Sequence, residues 1–258
     1  MSQVDVNTFL GAYPFRDVGA TSPAVLTREM ERVGTTAAWV SHLSAIYHQD
    51  VDGGNTALYA AAELDGRLRA VPTIDPSRPE WITALDEADR HGVPAVRCDP
   101  TLHGLPPVDD GMRELLAACA ARDLPVMMAV RLEDLRQRQP ADPAADLPPW
   151  AVRQLIRSHP GVRLIITHAD RDVIEQVHFG STPQEASRIL WDISWVWGPP
   201  EDHLELLLAT IGDARFTFGT GMPLRLPETS VAKLDLLNLS AASRQQIADG
   251  NLATFCLT

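Results

Sequence analysis

The sequence contains few cysteines and no long apolar run. Its three cysteines, Cys98, Cys119 and Cys256, are scattered and form no CxxC pair. An odd number of scattered cysteines is typical of reduced thiols, so we expect a reducing, cytoplasmic compartment. No apolar stretch reaches the roughly eighteen residues of a membrane span, and the N-terminus does not resemble a signal peptide. These features predict a cytoplasmic protein that does not enter a membrane.

Basic charge is also scarce. The chain has 22 Lys and Arg against 34 Asp and Glu, a formal net charge of −12. Nucleic acids and anionic membranes would therefore meet a repulsive field. The hydrophobic fraction of 45% is ordinary for a globular protein, and 258 residues fit one large α/β domain. We expect a single domain over residues 1–258 that acts on a small molecule, with a homo-oligomer left open.

Eight short apolar segments, each bounded by Gly, Pro, Asp or His, predict β-strands. Segments with helical spacing lie between them, such as Ala24–Val33 and Asp109–Arg122. Strands that alternate with helices pair in parallel through right-handed crossovers. Eight such units predict a (β/α)₈ TIM barrel, with an open doubly wound α/β sheet as the alternative. The predicted strands are Val4–Asn7, Ala37–Ser41, Ala70–Asp75, Ala95–Asp99, Val126–Arg131, Leu164–His168, Ile189–Ser194 and Phe216–Thr220.

Polar residues accumulate at the carboxyl ends of these strands, where TIM barrels place their working residues. Side chains two apart share a face of a strand, so these polar residues are expected to point into the lumen. Buried charges cost several kcal/mol unless they are paired. They therefore indicate either structural ion pairs that close the barrel mouth or a functional site. The residues are Arg97, Asp99, Arg131, Glu133, His168 and Asp192, with Trp195 shortly after the seventh strand.

Several segments, in order along nearly the whole chain, match a known family. They are Asp5–Gly11 followed by Tyr13–Arg16, Val96–Gly104, Arg131–Arg136, Leu164–Ala169, Phe218–Pro223 and Gly250–Ala253. Together they resemble the amidohydrolase-related proteins, in the branch of metal-dependent hydrolases and decarboxylases of aromatic and lactone acids. The resemblance implies a TIM barrel that acts on a small carboxylate or lactone.

The metal ligands of that family are mostly absent. Its first strand normally carries two histidines one residue apart, and Asn7 and Phe9 stand at those positions. The fifth strand normally offers a His, but Val126–Arg131 contains none, and the eighth-strand Asp is Gly221. The sixth-strand His remains, as His168. A zinc or manganese site needs three or four converging ligands, so we expect no bound metal cofactor.

Three functions follow as hypotheses, and the first is a metal-independent hydrolase or decarboxylase of a small organic acid. His168 would be the general acid or base, oriented by Asp192 or Asp170, and Asp99 or Glu133 would be the second proton-transfer group. Arginines at the mouth would bind the carboxylate, because guanidinium groups pair with carboxylates in bidentate fashion. The expected substrate-binding residues are Asn7, Arg16, Arg97, Arg131, Trp195 and Arg225.

The second hypothesis is a catalytically inactive protein of this fold that binds a small acid or a partner chain. The third is a metalloenzyme with relocated ligands, drawn from His42, His48, His103, His168, Asp75, Asp99 and Asp192. Under the first hypothesis, Arg97, Arg131 and His168 converge on one cavity with Trp195 as an apolar wall. Anion binding should then strengthen as pH falls through the imidazole pKa.

Overall fold

A computed structural model describes residues 2–19, 22–47, 50–142 and 144–257, in which parallel strands alternate with helices. All eight predicted strands are present, although most end earlier than the sequence pattern suggests. Their bounds are β1 (Val4–Leu10), β2 (Ala37–His42), β3 (Leu68–Ala70), β4 (Val96–Arg97), β5 (Val126–Ala129), β6 (Leu164–Thr167), β7 (Ile189–Asp192) and β8 (Phe216–Thr217).

The strands close into a barrel. They pair in the orders β1-β2-β3 and β4-β5-β6-β7-β8, and each pair is parallel. A bridge between Thr73 and Arg97 joins the chain after β3 to β4, and a bridge between Thr8 and Met222 joins β1 to the chain after β8. The (β/α)₈ prediction is therefore confirmed, and the open doubly wound sheet is wrong because no edge is left between β8 and β1.

Helices follow the strands and form the outer layer. The first begins at Pro23 and ends at Gly34, whose φ of 76° is the left-handed conformation that glycine adopts without strain. Within the described ranges, no helix has both the length and the apolar character that crossing a membrane requires. The helices are α1 (Pro23–Val33), α2 (Leu43–Tyr47), α3 (Val51–Leu64), α4 (Trp81–Arg90), α5 (Asp110–Ala121), α6 (Pro149–Ser158), α7 (Arg171–His178), α8 (Pro183–Ser187), α9 (His203–Ile211), α10 (Pro227–Leu236), α11 (Ala241–Gln245) and α12 (Asn251–Leu257).

Apolar side chains fill the lower lumen, and a second apolar cluster fills the mouth. The lower layer takes one residue from or beside each of seven strands, and Leu252 and Phe255 of α12 pack beneath it. The cluster at the mouth, which we call the mouth cluster, includes side chains from loops as well as strands. The polar site described next is thus enclosed between two apolar layers. The mouth cluster is Phe9, Tyr13, Leu43, Ile46, Ala129, Leu132 and Leu224.

Candidate functional site

Asn7 is the centre of a buried hydrogen-bond network in the upper lumen. The register of β1 against β2 shifts between Asp5 and Thr8. The Asn7 amide nitrogen donates to Nε2 of His168 (2.9 Å) and to Oδ2 of Asp192 (2.8 Å). Its amide oxygen accepts from Nη2 of Arg97 (3.1 Å). Asn7 thus links three of the side chains that the sequence pattern places at the mouth.

His168 is held as one neutral tautomer. Its Nδ1 lies 2.9 Å from the carbonyl oxygen of Arg131. Because a carbonyl can only accept, Nδ1 carries the proton, and the lone pair on Nε2 accepts from Asn7. His168 also has a positive φ of 55°, which is uncommon for a residue other than glycine. Its main-chain N–H donates to Oδ1 of Asp192 at 3.0 Å.

Burial lowers the pKa of His168 well below the ordinary value of 6.5, and the positive charges of Arg225 and Arg97 lower it further. The imidazole is fully buried. The expectation that its charge changes near neutrality is therefore wrong, because the charged form would be both desolvated and repelled. The expected orienting role of Asp192 or Asp170 is also wrong for the ring. Asp192 contacts the His168 main chain, and Asp170 caps α7 by accepting from the Val173 N–H (3.0 Å).

Arg97 and Asp99 both point into the lumen, as the alternation predicts, but they are fully buried and paired. The guanidinium donates to Oγ of Ser41 (2.9 Å) and to Oδ2 of Asp99 (3.3 Å). Oδ1 of Asp99 accepts the main-chain N–H of Ala129 at 2.7 Å. The Phe9 ring centroid lies 5.0 Å from the Arg97 guanidinium carbon. In this closed arrangement a ligand would have to displace neighbouring side chains to reach Arg97.

Arg131 and Arg16 are already neutralised by carboxylates. Arg131 lies 2.7 Å from Asp170 and 2.8 Å from Asp146. Arg16 lies 2.7 Å from Glu133 and is half-exposed. The main-chain carbonyl of Arg131 therefore contacts His168, while the Arg131 guanidinium is paired with acids from two loops. Arg97 and His168 meet through Asn7. The three side chains that were expected to line one open cavity are thus held in a closed network instead.

Arg225 has a different environment. Its guanidinium carbon lies 3.4 Å from the centroid of the Trp195 ring, which itself lies 5.6 Å from the His168 ring. Among the described residues no carboxylate lies within 4.0 Å of it, and its buried Nε has no hydrogen-bond partner. Burial lowers the pKa of Arg225. It is thus a desolvated cation stacked on an aromatic ring, which is a favourable arrangement.

A cavity of about 290 Å³ lies beside Arg225. It is formed between the loop after β1 and the loop after β8, and most of its walls are apolar. Arg32 also lines it, but that side chain is paired with Glu29 and Glu228. The apolar residues of the wall are Val18, Val25, Met222, Pro223, Leu226 and Pro227.

The residues present do not fit a divalent metal at the family's position. Phe9 supplies a ring, Ala129 supplies a methyl group at the lumen end of β5, and Gly221 supplies no side chain. A Cβ built on Gly221 would lie 2.7 Å from His168 Nε2, so the imidazole occupies the space that an eighth-strand carboxylate would need. Among the described residues, His168 is the one histidine at this position, and its Nε2 is already bound to Asn7. The carboxylate of Asp192 lies beside it but accepts from the same Asn7 amide, so fewer than three free ligands converge there.

The relocated ligands of the third hypothesis do not come together either. In the described part of the chain, no three His, Cys, Asp or Glu side chains are arranged to hold a metal ion. Nδ1 of His42 contacts Oγ of Ser44 at 2.6 Å, and Nε2 of His103 contacts the Ala45 carbonyl at 3.2 Å. His48 lies outside the described residues.

Two ionisable groups near the site, the buried Asp5 and the half-buried Lys233, are not among the predicted residues. Asp5 accepts from Thr220 through Oγ1 (2.5 Å) and N (3.0 Å), and burial raises its pKa to about 7. Lys233 donates to the carbonyls of Ile193 (2.8 Å) and Ser194 (3.0 Å), and burial lowers its pKa to about 8. The sequence could have indicated Asp5, because it is a charged residue within the apolar run of β1. Nothing in the sequence distinguishes Lys233 from other lysines in helices.

Comparison with known proteins gives one family match and several solved structures with a similar fold. The model of the amidohydrolase family matches residues 13–254. No curated protein matches the sequence. The fold is similar to that of a dihydroxybenzoic acid decarboxylase from Polaromonas sp. JS666 with bound manganese and 2-nitroresorcinol (TM-score 0.77, 12% identity, 99% of this chain and 97% of that one).

Two further solved structures each align over all of both chains. One is a probable 2-pyrone-4,6-dicarboxylic acid hydrolase from Acinetobacter baumannii with citric acid bound (TM-score 0.72, 11% identity, 100% of each chain). The other is an uncharacterised TIM-barrel protein from Bordetella bronchiseptica (TM-score 0.72, 16% identity, 100% of each chain). At these identities the likeness is one of fold.

Proposed function

This chain belongs to the amidohydrolase family, and we propose that it hydrolyses a lactone or similarly reactive ester of a small organic acid without a divalent metal. One observation carries the proposal. Arg225 is stacked on Trp195 beside His168, and in the described chain no carboxylate lies within 4.0 Å of it, although Asp192, Glu133 and Asp134 attract it from a greater distance. The other arginines predicted for this site are each within 4.0 Å of an acidic side chain.

An organic carboxylate is the ligand that Arg225 would bind best. Guanidinium and carboxylate groups form short, charge-assisted hydrogen bonds, which are strong where water is excluded. The indole of Trp195 and the apolar cavity beside Arg225 would take the carbon skeleton. Citric acid in the Acinetobacter structure and 2-nitroresorcinol in the Polaromonas structure support a small, acidic ligand for this fold.

The protonation state of His168 favours hydrolysis over decarboxylation. Neutral Nε2 can accept a proton from water while the water oxygen bonds to the lactone carbonyl carbon. When the acyl–oxygen bond breaks, His168 returns that proton to the departing alkoxide. Decarboxylation instead needs a proton donor for the carbon that loses CO₂, and the tautomer of His168 carries its proton on Nδ1, where it is bound to the Arg131 carbonyl, and none on Nε2. For either reaction, the hydrogen bond from Asn7 to Nε2 of His168 must break first.

The test is hydrolysis of 2-pyrone-4,6-dicarboxylate in a metal-free buffer with EDTA, followed by the loss of the pyrone absorbance. Arg225→Met should weaken substrate binding by about 1.5–3 kcal/mol, the usual loss for a charged hydrogen bond. Arg28→Met removes the same charge from an exposed position on α1 and should change nothing. No hydrolysis by the wild-type chain, or an equal KM for the wild type and Arg225→Met, would reject the proposal.

A second candidate is a protein that binds the acid and does not turn it over. The observation in its favour is that Asn7 occupies the only lone pair of His168 and that Phe9, Asn7 and His168 are all fully or almost fully buried. This candidate predicts that the acid binds in a way that depends on Arg225 and that no lactone tested is hydrolysed.

A further inference from the structure

Three arginines occupy equivalent positions at the amino end of the barrel. Arg163, Arg188 and Arg215 each stand immediately before a strand, namely β6, β7 and β8. These strands are neighbours and parallel, and adjacent strands lie about 4.8 Å apart. The three side chains are therefore brought to the face opposite Arg225 and His168. None of them contributes to the proposed hydrolytic site.

These arginines line one cavity of about 630 Å³. That volume lies within the range of about 300–1,000 Å³ that is usual for small-molecule sites. Phe255 of α12 lines the cavity, as do Ala120, Pro160 and Ala214, so part of its wall is apolar. The cavity thus combines a cationic side with a surface that suits a carbon skeleton.

Two of the three charges are positioned but not neutralised. Nη1 of Arg215 donates to the Ser187 carbonyl at 2.5 Å. Nη1 of Arg188 donates to the carbonyls of His159 (3.0 Å) and Val162 (2.9 Å), while its buried Nε has no hydrogen-bond partner. In the described ranges neither guanidinium has a carboxylate within 4.0 Å. Main-chain carbonyls fix the direction of these side chains and leave the rest of each guanidinium available.

Arg163 differs because it has a counter-charge. It lies 2.7 Å from Oδ1 of Asp123, and it also donates to the main-chain carbonyls of Asp123 and Phe255. Partial burial lowers the pKa of both Arg188 and Arg215, although the attraction of Glu185 offsets part of this effect at Arg188. The cavity therefore carries an excess of about two positive charges in a chain whose net charge is −12.

We propose that this cavity at the amino end of the barrel is a second ligand site, which binds a small organic phosphate. A phosphate monoester carries about −1.5 to −2 charges at pH 7 and three acceptor oxygens, which match two guanidinium groups better than a single carboxylate does. Arg188 and Arg215 bind the phosphate, and Phe255 with the neighbouring apolar residues contacts the organic part. The site is independent of the proposed hydrolytic function, because it shares no residue with the mouth.

Isothermal titration calorimetry with AMP as the probe tests the site. Wild-type protein should bind AMP, and Arg188→Met and Arg215→Met should each lower the affinity at least tenfold. Arg28→Met is the control for the loss of one charge, and Arg225→Met is the control for the mouth. Both controls should bind AMP like the wild type. If Arg188→Met does not fold, Arg215→Met carries the test, since its side chain anchors only one carbonyl.

Two further titrations define the ligand class. Inorganic phosphate should bind more weakly than AMP, because it lacks the apolar contacts, and citrate should bind more weakly still. If citrate binds as tightly as AMP, the assignment of the ligand as a phosphate is wrong. If inorganic phosphate binds as tightly as AMP, the assignment of an organic group to the ligand is wrong. AMP affinity that is unchanged in Arg215→Met, or no AMP binding at all, would overturn the site itself.

Discussion

At the scale of single residues, the exchange of a ligand histidine for Asn7 changes what the neighbouring groups can do. The NH₂ group of an amide can donate twice while its oxygen accepts, and Asn7 uses this to bind His168, Asp192 and Arg97 together. A metal ion would need these groups to point their lone pairs at one spot. Here the lone pairs are satisfied by N–H donors, and the positive charge of Arg97 lies where a cation would be repelled.

The first prediction concerns the titration of His168. Followed by NMR of its ring protons, His168 should stay neutral from pH 8 down to well below its ordinary pKa of 6.5. Arg225→Met should raise that pKa, since it removes a positive charge near the ring, whereas Arg28→Met should not move it. A wild-type midpoint near the ordinary value would contradict the buried, neutral tautomer.

The second prediction uses Asp5, whose pKa rises from 3.8 to about 7 on folding. A raised carboxyl pKa contributes stability below the unfolded value of 3.8, and this is lost as pH rises through about 7. The free energy of unfolding of the wild type minus that of Asp5→Asn should therefore fall between pH 4 and 7, by a few kcal/mol at most, since one pKa unit is about 1.4 kcal/mol.

Urea denaturation at a series of pH values measures that difference. Glu201→Gln, which removes a carboxyl at an exposed position, is the control and should give a difference that hardly varies with pH. A difference for Asp5→Asn that is flat, or that grows with pH, would show that Asp5 is ionised in the folded protein.

At the scale of elements, the ends of β1, β6 and β8 decide the geometry of the site. Gly221 follows β8 with φ 75°, and its main-chain N–H donates to the Asn7 carbonyl of β1 at 2.8 Å. Any side chain at this position would press on the imidazole at the end of β6. His168 can therefore take its position only because residue 221 has no side chain, so the absence of the eighth-strand carboxylate and the position of His168 depend on each other.

The third prediction follows from that arrangement. Gly221→Ala and Gly34→Ala both place a side chain at a φ near 75°, which costs about 1 kcal/mol in each case. Around Gly34 there is open space, whereas a Cβ at Gly221 would meet His168 Nε2 at 2.7 Å. Gly221→Ala should therefore destabilise the protein by roughly 1–3 kcal/mol more, as overpacking in a core does. Equal losses in denaturant unfolding would mean that His168 moves aside at little cost.

At the scale of the whole molecule, each end of an acidic barrel carries at least one arginine that lacks an ion-pair partner in the described part of the chain. Arg225 lies at the carboxyl end, and Arg188 and Arg215 lie at the amino end, each without a carboxylate within 4.0 Å among the described residues. A net charge of −12 spread over the rest of the surface makes these local excesses more distinct. Both ends are therefore suited to anions, and the described residues form no set of converging metal ligands at either end.

The fourth prediction concerns metal content. Protein purified without added metal should contain far less than one zinc, manganese or iron atom per chain by elemental analysis, because only one family ligand remains and it is bound to Asn7. Added manganese should leave the melting temperature unchanged. About one metal per chain that is lost in His168→Gln would contradict this and would restore the metalloenzyme hypothesis.

Strand positions and the direction of most site residues follow from the sequence alone. Arg97, Asp99, Asn7 and Phe9 point into the lumen because side chains alternate along a strand, and alternation depends only on the local backbone. The count of eight strands follows from the same local pattern. These properties need no knowledge of where the rest of the chain lies.

Only the tertiary structure decides which charges are paired. Arg131 has two acids because the loops that carry Asp146 and Asp170 return to it, while no carboxylate of the described residues lies within 4.0 Å of Arg225. The same holds for Arg188 and Arg215, whose shared cavity depends on the adjacent places of β7 and β8 in the barrel. Charge compensation depends on distances in space between residues far apart in the chain, and no local periodicity encodes those distances.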